Sequence, residues 1–487
     1  MTESDAAARG TAAGFDNLFE TVADYVLGGS VSETGLDAAR DCLMDALGCA
    51  ALALGVPEAA KHLGPWTPAG EVPDGARVPG TPYELDPLKA AFDLGLLIRW
   101  LDYNDTWLAA EWAHPSDNFG GLLTLADAVS RGSVGRRDEL LTMREVLTAA
   151  IKAYEIQGVL ALENSFNRVG LDHVLLVKVA TAAVSAKLAG GGREHVLSAF
   201  SNAWTDGGSL RTYRHAPNTG ERKSWAAGDA TSRGVQLALM ALRGEPGYAS
   251  ALSAPGWGFQ DVLLGGREIS LGAELGSMVI ENVLFKVAYP AEFHAQTAAE
   301  SAVRLHERLG SRISEVESVV IETQEPAKRI IDKTGPLHNP ADRDHSIQYI
   351  TAVALLDGNL TALDYEEPRA SDPRIHALRE IMEVVERRSY TQAYYDPSSR
   401  AIPNAVRVRL GDGSTLEEET IYPLGHPRRR PEARPLLESK FTENVAVGYD
   451  ADTAAWLTET LGDRSVLDDM PVSTFMSKLR INGDGRR

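Results

Sequence analysis

The length, composition and charge of this sequence exclude several classes of protein. The chain has 487 residues, of which 44% are hydrophobic and 24% charged, which is typical of a folded soluble protein of about two domains. Its formal charge of −20 argues against a nucleic-acid surface, because binding to phosphates depends on clustered lysine and arginine. An anionic ligand would therefore need a local basic pocket.

Cysteine content and hydropathy limit the cofactors and the location. Cys42 and Cys49 are too few for the three or four thiolates of a usual iron–sulphur cluster, and we expect them to fill core space. The sequence has no H-E-x-x-H motif and no closely paired histidines, which argues against a metal site. The start, "MTESDAAARGTAAG", does not resemble a signal peptide, and no stretch has the ~18 apolar residues of a membrane span. These features predict a cytoplasmic protein with no membrane contact, no metal and no cofactor.

The first half of the chain has the apolar spacing of helices. From about residue 16 to 265, apolar residues recur at three- and four-residue intervals, as in "GLDAARDCLMDALGCAALALG" and "DHVLLVKVATAAVSAKLAGGG". Asp86-Pro87 is typical of a helix start, and Gly190 and Gly244 of helix ends. We predict an all-helical domain over residues 1–269.

Strand patterns appear after about residue 270. "EVESVVIETQ" (315–324) is rich in β-branched residues, and "NAVRVRLGDGSTLEEETIY" (404–422) has two alternating runs joined at Gly-Asp-Gly, which predicts a hairpin. Helical segments lie between them, so we predict a smaller α+β domain over 270–430. The tail, 431–487, is helical again and is expected to pack on the first domain. The predicted fold class is thus mainly α.

The segment "WLDYNDTWLAAEWAHPSDN" (100–118) has an unusual density of polar and aromatic groups. If the preceding helix continues, Asp102 and Thr106 share one face of it. His114 precedes Pro115 and should lie at the mouth of the next helix. The tryptophans of this segment, Trp100, Trp107 and Trp112, are expected to form apolar walls. Its remaining acidic residues, Asp105, Glu111 and Asp117, are expected to be solvated or capping groups.

Other candidate groups also lie at predicted helix starts. Asp172 is a plausible N-cap, so His173 would occupy the first helical position, where the helix dipole favours a neutral imidazole. Pro290 should begin a helix with His294 in its first turn. For each histidine taken alone, a structural role is the alternative.

A basic loop provides the remaining candidates. "RTYRHAPNTGERKSW" holds Arg211, Arg214, His215, Arg222 and Lys223, and Ser224 can cap the helix that follows, so free backbone N–H groups near Lys223 would face an anion. A solvated basic loop is the alternative.

Several long segments resemble the MmgE/PrpD family, in particular its bacterial 2-methylcitrate dehydratases. They include "LDYNDTWLAAEWAHPSDNFGG", "GLDHVLLVKVATAAV", "RKSWAAGDATSRGVQLALMALRGEPG", "FKVAYPAEFHAQTAAESA", "RIIDKTGPLHNPADRDHSIQYITAVALLDG" and "YYDPSSRAIPNAVRV", and the likeness extends from about residue 16 to the C-terminus. The resemblance implies a large all-helical domain with a smaller α+β lid domain, assembled as a homodimer. It also implies dehydration of a small tricarboxylate, 2-methylcitrate, in propionate breakdown, without an iron–sulphur cluster.

The resemblance also implies site residues. Pocket groups of the family's cis-aconitate decarboxylases match Asp102, Thr106, His114, His173, Lys223 and His294, and a tyrosine matches Tyr349. We expect His114 and His173 to be the acid–base pair, in either order, with Asp102 orienting an imidazole and His294 reaching across from the lid. Substrate carboxylates and hydroxyls would be bound by Lys223, Arg211, Arg214, Arg222, Thr106 and Tyr349.

Two alternative functions stay open from the sequence. One is a decarboxylase or isomerase on the same scaffold, since the chemistry differs only in which bond to a carbanionic carbon breaks. The other is a non-catalytic helical binding protein, which would leave the candidate groups scattered over the surface.

Overall fold

Helices form most of the chain and surround two separate hydrophobic cores. The structure, a computed structural model, describes residues 14–135, 137, 139–214 and 219–481. The first core contains buried residues from Phe19 to Val287 and again from Ala433 to Leu479, and the second contains buried residues from Tyr289 to Leu410. The predicted mainly α fold class is confirmed.

The first core belongs to a large helical unit. None of the described helices has the length and apolar character needed to cross a membrane. The unit also contains two short antiparallel ribbons, β1 (Glu71–Arg77) with β2 (Glu84–Leu85) and β3 (Trp107–Leu108) with β4 (Trp112–Ala113). Its helices are α1 (Asn17–Gly28), α2 (Glu33–Ala53), α3 (Pro57–Ala60), α4 (Pro87–Arg99), α5 (Asn118–Ser130), α6 (Met143–Glu163), α7 (Val174–Leu188), α8 (Arg193–Thr205), α9 (Arg222–Leu242), α10 (Phe259–Leu264) and α11 (Met278–Asn282).

Helices α4 and α9 cross at glycines in the middle of this unit. A Cβ atom on Gly228 would lie 2.4 Å from the carbonyl oxygen of Phe92, and one on Gly95 would lie 2.8 Å from the Cα of Gly228. A larger residue at either position would push the helices apart. The crossing holds the end of α4, with Arg99, close to the start of α9, with Lys223.

The second core lies between helices and one face of a four-stranded sheet. The strand order is β6-β5-β7-β8, with β5 and β6 parallel and the other pairs antiparallel. Val319 and Ile321 of β5 and Val406 and Val408 of β7 are fully buried, while residues between them face outward. The elements of this α+β unit are α12 (Gln296–Leu309), β5 (Val316–Thr323), α13 (Glu325–Ile331), α14 (Pro340–Arg343), α15 (Ile347–Asp357), α16 (Pro373–Glu380), β6 (Met382–Glu386), α17 (Arg388–Tyr395), β7 (Asn404–Leu410) and β8 (Thr415–Thr420).

The chain then returns to the helical unit. Phe441 of α18 packs against α2, where a Cβ atom on Gly48 would lie 3.1 Å from its ring. The returning helices are α18 (Arg430–Gly448), α19 (Ala451–Gly462), α20 (Arg464–Asp468) and α21 (Val472–Leu479). Their apolar side chains complete the first core.

Some local predictions are wrong, and for the end of α4 the cause is a contact far along the sequence. The domain predicted to be all-helical contains the two ribbons. Helix α4 ends at Arg99, and Asp102 has φ of +50°, so Asp102 and Thr106 do not share a helix face. The chain departs from the helix because Thr106 forms a two-hydrogen-bond bridge, at 2.8 Å each, with Leu284 far along the sequence.

Two predicted helix starts are also displaced. The helix expected at Pro290 begins at Gln296, after a 3-10 turn (Phe293–Ala295) that the Glu292 side chain caps. Ser224 does not cap α9, which begins two residues earlier; its hydroxyl donates to the carbonyl of Trp100 at 3.1 Å.

Candidate active site

A buried cavity lies where the helical unit meets the α+β unit. About 420 Å³ of space lies between the atoms that line it, and every polar side chain in its wall is less than 9% exposed. The helical unit and the segment that follows it contribute Arg99, Asp102, Thr106, Leu108, Trp112, His114, His173, Arg211, Arg214 and Lys286, and the α+β unit contributes Glu292, Phe293, Ile330 and His345.

Asp102 is the anionic centre of this cavity. Its carboxylate accepts hydrogen bonds from Arg99 and from the Lys286 ammonium, the latter at 2.7 Å. The ammonium of Lys223 and Nε2 of His345 each lie 3.7 Å from its other oxygen. Burial acts to raise the pKa of Asp102, but the surrounding cations outweigh it and hold the pKa well below its usual range.

His114 lies at the mouth of α5, as its position before Pro115 predicts. Its Nδ1 lies 2.7 Å from the carbonyl oxygen of Asp105 and therefore carries the proton. The guanidinium of Arg99 donates to its Nε2 at 3.0 Å. Burial, followed by the charge of Arg99, lowers the pKa of His114 well below its usual value, so the ring is neutral.

His173 lies at the start of α7 and is 1% exposed. The Asp172 carboxylate accepts from the N–H of Val174 at 3.1 Å, and the helix begins at Val174, so His173 lies one residue before the first helical position that was predicted for it. Arg211 donates to Nδ1 of His173 at 3.2 Å, which places the proton of the neutral ring on Nε2. Burial is the main cause of a strongly lowered pKa for His173. Its Nε2 is buried and has no hydrogen-bond partner among the described residues.

Two arginines flank His173 on the cavity wall. Arg214 donates to the Asp172 carboxylate at 2.5 Å, and Arg211 lies 3.7 Å from the same carboxylate. One terminal nitrogen of Arg214, Nη2, is buried without a partner among the described residues. Since buried donors are normally satisfied, Nη2 of Arg214 and Nε2 of His173 are positions where a bound ligand would gain hydrogen bonds.

A third imidazole, His345, comes from the α+β unit. Its Nδ1 lies 2.6 Å from the Asp344 carboxylate, so this nitrogen carries the proton and Nε2 presents a lone pair. Burial, followed by the charge of Lys223, lowers the pKa of His345. Lys223 donates to both oxygens of Asp344, at 2.6 and 2.8 Å.

Asp102, Asp344 and His345 also present ligand atoms within 4.8 Å of one another, which is compatible with a metal ion. The Lys223 ammonium lies 2.6 Å from one of these carboxylates and 3.7 Å from the other. The cation that these carboxylates share is therefore the ammonium.

The structure brings together most of the predicted site residues. Asp102, Thr106, His114, His173, Arg211 and Arg214 line the cavity, and Lys223 contacts it through Asp102 and His345.

Three predicted residues lie outside the cavity wall. His294 is behind Trp112, with Nδ1 2.7 Å from Glu292 and Nε2 3.1 Å from the Tyr394 hydroxyl. Arg222 stacks on Trp225, 4.2 Å from its ring centre. Tyr349 is in the second core and donates to the carbonyl of Asp364 at 2.6 Å. His215 falls outside the described residues.

The three acidic residues expected to be solvated or capping groups are fully buried. Asp105 accepts from the Ser116 hydroxyl and the Tyr154 hydroxyl, both at 2.7 Å. Glu111 accepts from the N–H of Asn167, also at 2.7 Å. They support the loop that carries His114, and the prediction that they are solvated is wrong.

Sequence reasoning missed four polar groups of the cavity wall and one, Asp344, that lies behind it. Arg99 and Lys286 lie in apolar runs, "LGLLIRW" and "NVLFKVAY", that indicate only buried structure. Asp344 and His345 did leave a signal: Asp-His before a helix occurs at 172–173 and again at 344–345. The fifth is Glu292.

Comparison with known proteins gives matches over nearly the whole chain. Residues 20–272 match the MmgE/PrpD N-terminal domain and residues 289–461 match the MmgE/PrpD C-terminal domain. The chain is 54% identical over 467 residues to the 2-methylcitrate dehydratase of Escherichia coli strain K12, covering 95% of this chain and 97% of that protein. It is 53% identical over 471 residues to that of Cupriavidus necator, with 96% and 97% covered. Identity to the mitochondrial 2-methylcitrate dehydratase of Yarrowia lipolytica is 52% over 436 residues, with 88% and 84% covered.

Proposed function

This chain belongs to the MmgE/PrpD family, and we propose on that basis that it is a 2-methylcitrate dehydratase. As a hydro-lyase, it removes water from 2-methylcitrate to form 2-methyl-cis-aconitate. The homodimer, the cytoplasmic location and the role in propionate breakdown stay predictions.

The observation that carries this proposal is the excess of cations around a buried cavity. Four cationic side chains, Arg99, Arg211, Arg214 and Lys286, line it with two carboxylates, Asp102 and Glu292, and a third carboxylate, Asp172, pairs with Arg214. A substrate with three carboxylates supplies the missing negative charge. Guanidinium groups match carboxylates in geometry, and Nη2 of Arg214 is free to donate.

The reaction needs a base and an acid. A base takes the proton from the methyl-bearing carbon, the electrons of the C–H bond form the new double bond, and the hydroxyl leaves from the adjacent carbon as it gains a proton. Negative charge builds up on the carboxylate next to the reacting carbon, and fixed cations stabilise it because they are already oriented.

His173 is the proposed acid. Its Nε2 carries the proton in the neutral ring and has no other partner among the described residues. A bound tricarboxylate raises the pKa of this imidazole, because the nearby negative charges favour its charged form. When Nδ1 takes the second proton, Arg211, 3.2 Å away, must give up its hydrogen bond to this nitrogen, and the new N–H faces the Asp172 carboxylate 3.5 Å away.

His345 is the proposed base. Asp344 holds its Nδ1 proton, leaving the Nε2 lone pair for the substrate, and the resulting imidazolium lies between the carboxylates of Asp344 and Asp102. His114, expected from the sequence to act with His173, is the alternative. As a base, His114 would take the proton on Nε2. Its positive charge would then be repelled by the Arg99 guanidinium, which lies 3.0 Å from that nitrogen.

Lys223 and Asp102 support these groups. Lys223 fixes Asp344 by two hydrogen bonds, and Asp102 keeps Arg99 and Lys286 in the cavity wall. Thr106 is proposed as a neutral hydrogen-bond donor to substrate. His294 is proposed to act indirectly, by positioning Trp112, which its ring contacts edge-on.

The function is tested by incubating the chelator-treated protein with 2-methylcitrate and following the absorbance of the unsaturated product. We expect turnover, and a higher kcat/KM than for citrate. A protein that releases carbon dioxide from cis-aconitate but does not dehydrate 2-methylcitrate would contradict the proposal.

The roles of the proposed acid and the proposed base are distinguished by changing the leaving group of the substrate. We expect His173→Gln and His345→Gln to lower kcat by about a hundredfold or more. With the substrate hydroxyl replaced by fluoride, which leaves with little proton donation, the defect of His173→Gln should shrink and that of His345→Gln should stay.

His376→Gln, an exposed histidine of the same α+β unit, is the matched control and should retain wild-type kcat. Near-native rates in His345→Gln, together with a loss in His114→Gln that does not depend on the leaving group, would make His114 the base.

A further inference from the structure

Two clefts of opposite charge border the buried cavity. Three arginines, Arg168, Arg329 and Arg400, line the arginine cleft, which has a volume of about 730 Å³. Three glutamates, Glu58, Glu221 and Glu366, line the glutamate cleft, which has a volume of about 560 Å³. Both clefts are lined by residues of the helical unit and of the α+β unit.

The arginine cleft keeps much of its positive charge. Among the described residues, no carboxylate lies within 4 Å of the guanidinium of Arg168 or Arg400, while Arg329 is paired with Glu325 at 2.9 Å. Arg400 packs over Trp107, 4.7 Å from the ring centre. It also lines a neighbouring cleft of about 820 Å³ together with Arg428, so the basic surface continues there.

Only a thin wall separates the arginine cleft from the cavity. Leu108 and Trp112 line both. Arg211 of the cavity lies 5.3 Å from the centre of the Trp112 ring, and Arg329 of the cleft lies 5.4 Å from it. The Trp112 side chain thus has one guanidinium from each compartment against it, and its displacement would join the two spaces.

The glutamate cleft approaches the same site at Lys223 and Asp344. Of its glutamates, Glu221 is paired with Lys61 at 3.2 Å, and among the described residues no lysine or arginine lies within 4 Å of the carboxylates of the other two. The pKa of Glu366 is raised by burial and then by the charge of Glu58, which shows that negative charge accumulates there. A tricarboxylate is repelled from this cleft.

We propose that the arginine cleft is an outer binding site through which the anionic substrate reaches the cavity, with Trp112 and Leu108 as the wall it passes. The inference rests on the proposed function, because it requires a substrate with several carboxylates. The molecule as a whole carries a charge of −20, so an unassisted trianion would be repelled. Local positive charge at an access route can raise association rates by ~10-fold or more.

The test is a stopped-flow measurement of tricarboxylate association, followed by tryptophan fluorescence. The probes are 2-methylcitrate and propane-1,2,3-tricarboxylate, which has no hydroxyl to lose. We expect Arg168→Gln, Arg329→Gln and Arg400→Gln each to lower the association rate constant about threefold, and the triple variant at least tenfold. The dependence of this constant on ionic strength should weaken in the same order.

Two sets of control variants identify the route. Arg243→Gln removes the same charge from the exposed far end of α9 and should change association by less than about 1.5-fold, because salt screens a remote charge. Glu58→Gln and Glu366→Gln should not slow association. Arginine-cleft variants that match Arg243→Gln, or a larger effect at the glutamate cleft, would overturn the proposal.

The association measurement tests the access route whether or not the protein turns over 2-methylcitrate. If the wild-type protein dehydrates 2-methylcitrate but the arginine-cleft variants associate normally, only the access route is wrong. If it does not turn over 2-methylcitrate, the proposed function fails, and the non-reacting tricarboxylate still tests the route.

Discussion

At the scale of single residues, buried carboxyl groups beneath the site are the main departure from ordinary protein chemistry. Burial, the largest effect in each case, raises the pKa of Asp105 to about 6 and those of Glu111 and Asp117 to about 7. Asp117 receives a hydrogen bond from Asn104 at 3.0 Å on one oxygen, while its other oxygen has no partner among the described residues. Such a group is more stable protonated than charged.

The raised pKa of Asp117 predicts how stability depends on pH. The folded protein holds this proton up to about pH 7, whereas the unfolded chain releases it near its ordinary value of 3.8. The group therefore stabilises the fold at low pH, and its contribution is lost as the pH rises toward 7. Asp117→Asn cannot ionise, so the melting temperature of this variant relative to wild type should be higher at pH 8 than at pH 5.

Thermal unfolding at both pH values measures this difference in stability. It corresponds to a few kcal/mol at most, because a difference of one pKa unit corresponds to about 1.4 kcal/mol. Any cost of fitting the amide group is the same at both pH values and cancels. Glu307→Gln, at an exposed glutamate of α12, is the control and should show no such difference. An equal shift for Asp117→Asn at pH 5 and pH 8 would mean that Asp117 is charged in the fold.

At the scale of elements, the sequence predicts structure well where local contacts decide it. The β7–β8 hairpin forms at Gly-Asp-Gly because the turn and the alternating pattern agree. His114 lies at a helix mouth because Pro115 can begin a helix but its predecessor cannot continue one. The end of α4 could not be predicted, because the bridge between Thr106 and Leu284 joins segments about 180 residues apart.

The same distinction applies to the site. His173 could be found because Asp172 caps its helix locally. Lys286 could not, since its partner Asp102 lies 184 positions away and nothing in the apolar run around it indicates a charge pair. Tyr349 was predicted to contact substrate from a likeness in its segment, but its hydroxyl bonds to Asp364 within its own unit.

At the scale of the whole molecule, a lysine near the C-terminus holds the site together. Lys440 of α18 is 5% exposed and donates to the carboxylate of Asp45 at 2.6 Å. It also donates to the carbonyl oxygens of Tyr103 at 2.7 Å and of Lys286 at 2.8 Å. These two carbonyls belong to the segments that carry Asp102 and Lys286 into the cavity. The return of the chain to the first core therefore has a direct consequence for the active site.

This arrangement predicts that the contribution of Lys440 to stability can be measured separately from its contribution to activity. Lys440→Met leaves Asp45 buried without its partner and frees both carbonyls, so we expect a loss of about 3 kcal/mol or more in stability and a large fall in kcat. Adding Asp45→Asn removes the uncompensated charge and should restore most of the melting temperature. It supplies no donor to the carbonyls of Tyr103 and Lys286, so kcat should stay at least tenfold below wild type, as expected when catalytic groups lose their fixed geometry.

Lys478→Met, in an exposed lysine of α21, is the matched control and should leave both quantities unchanged. Melting temperature and kcat are measured on the same preparations of the single and double variants. If kcat recovers together with the melting temperature in the double variant, Lys440 stabilises the fold without positioning the site. If only the melting temperature recovers, helix α18 fixes two catalytic segments that are distant in sequence, and the site depends on the chain returning to its first core.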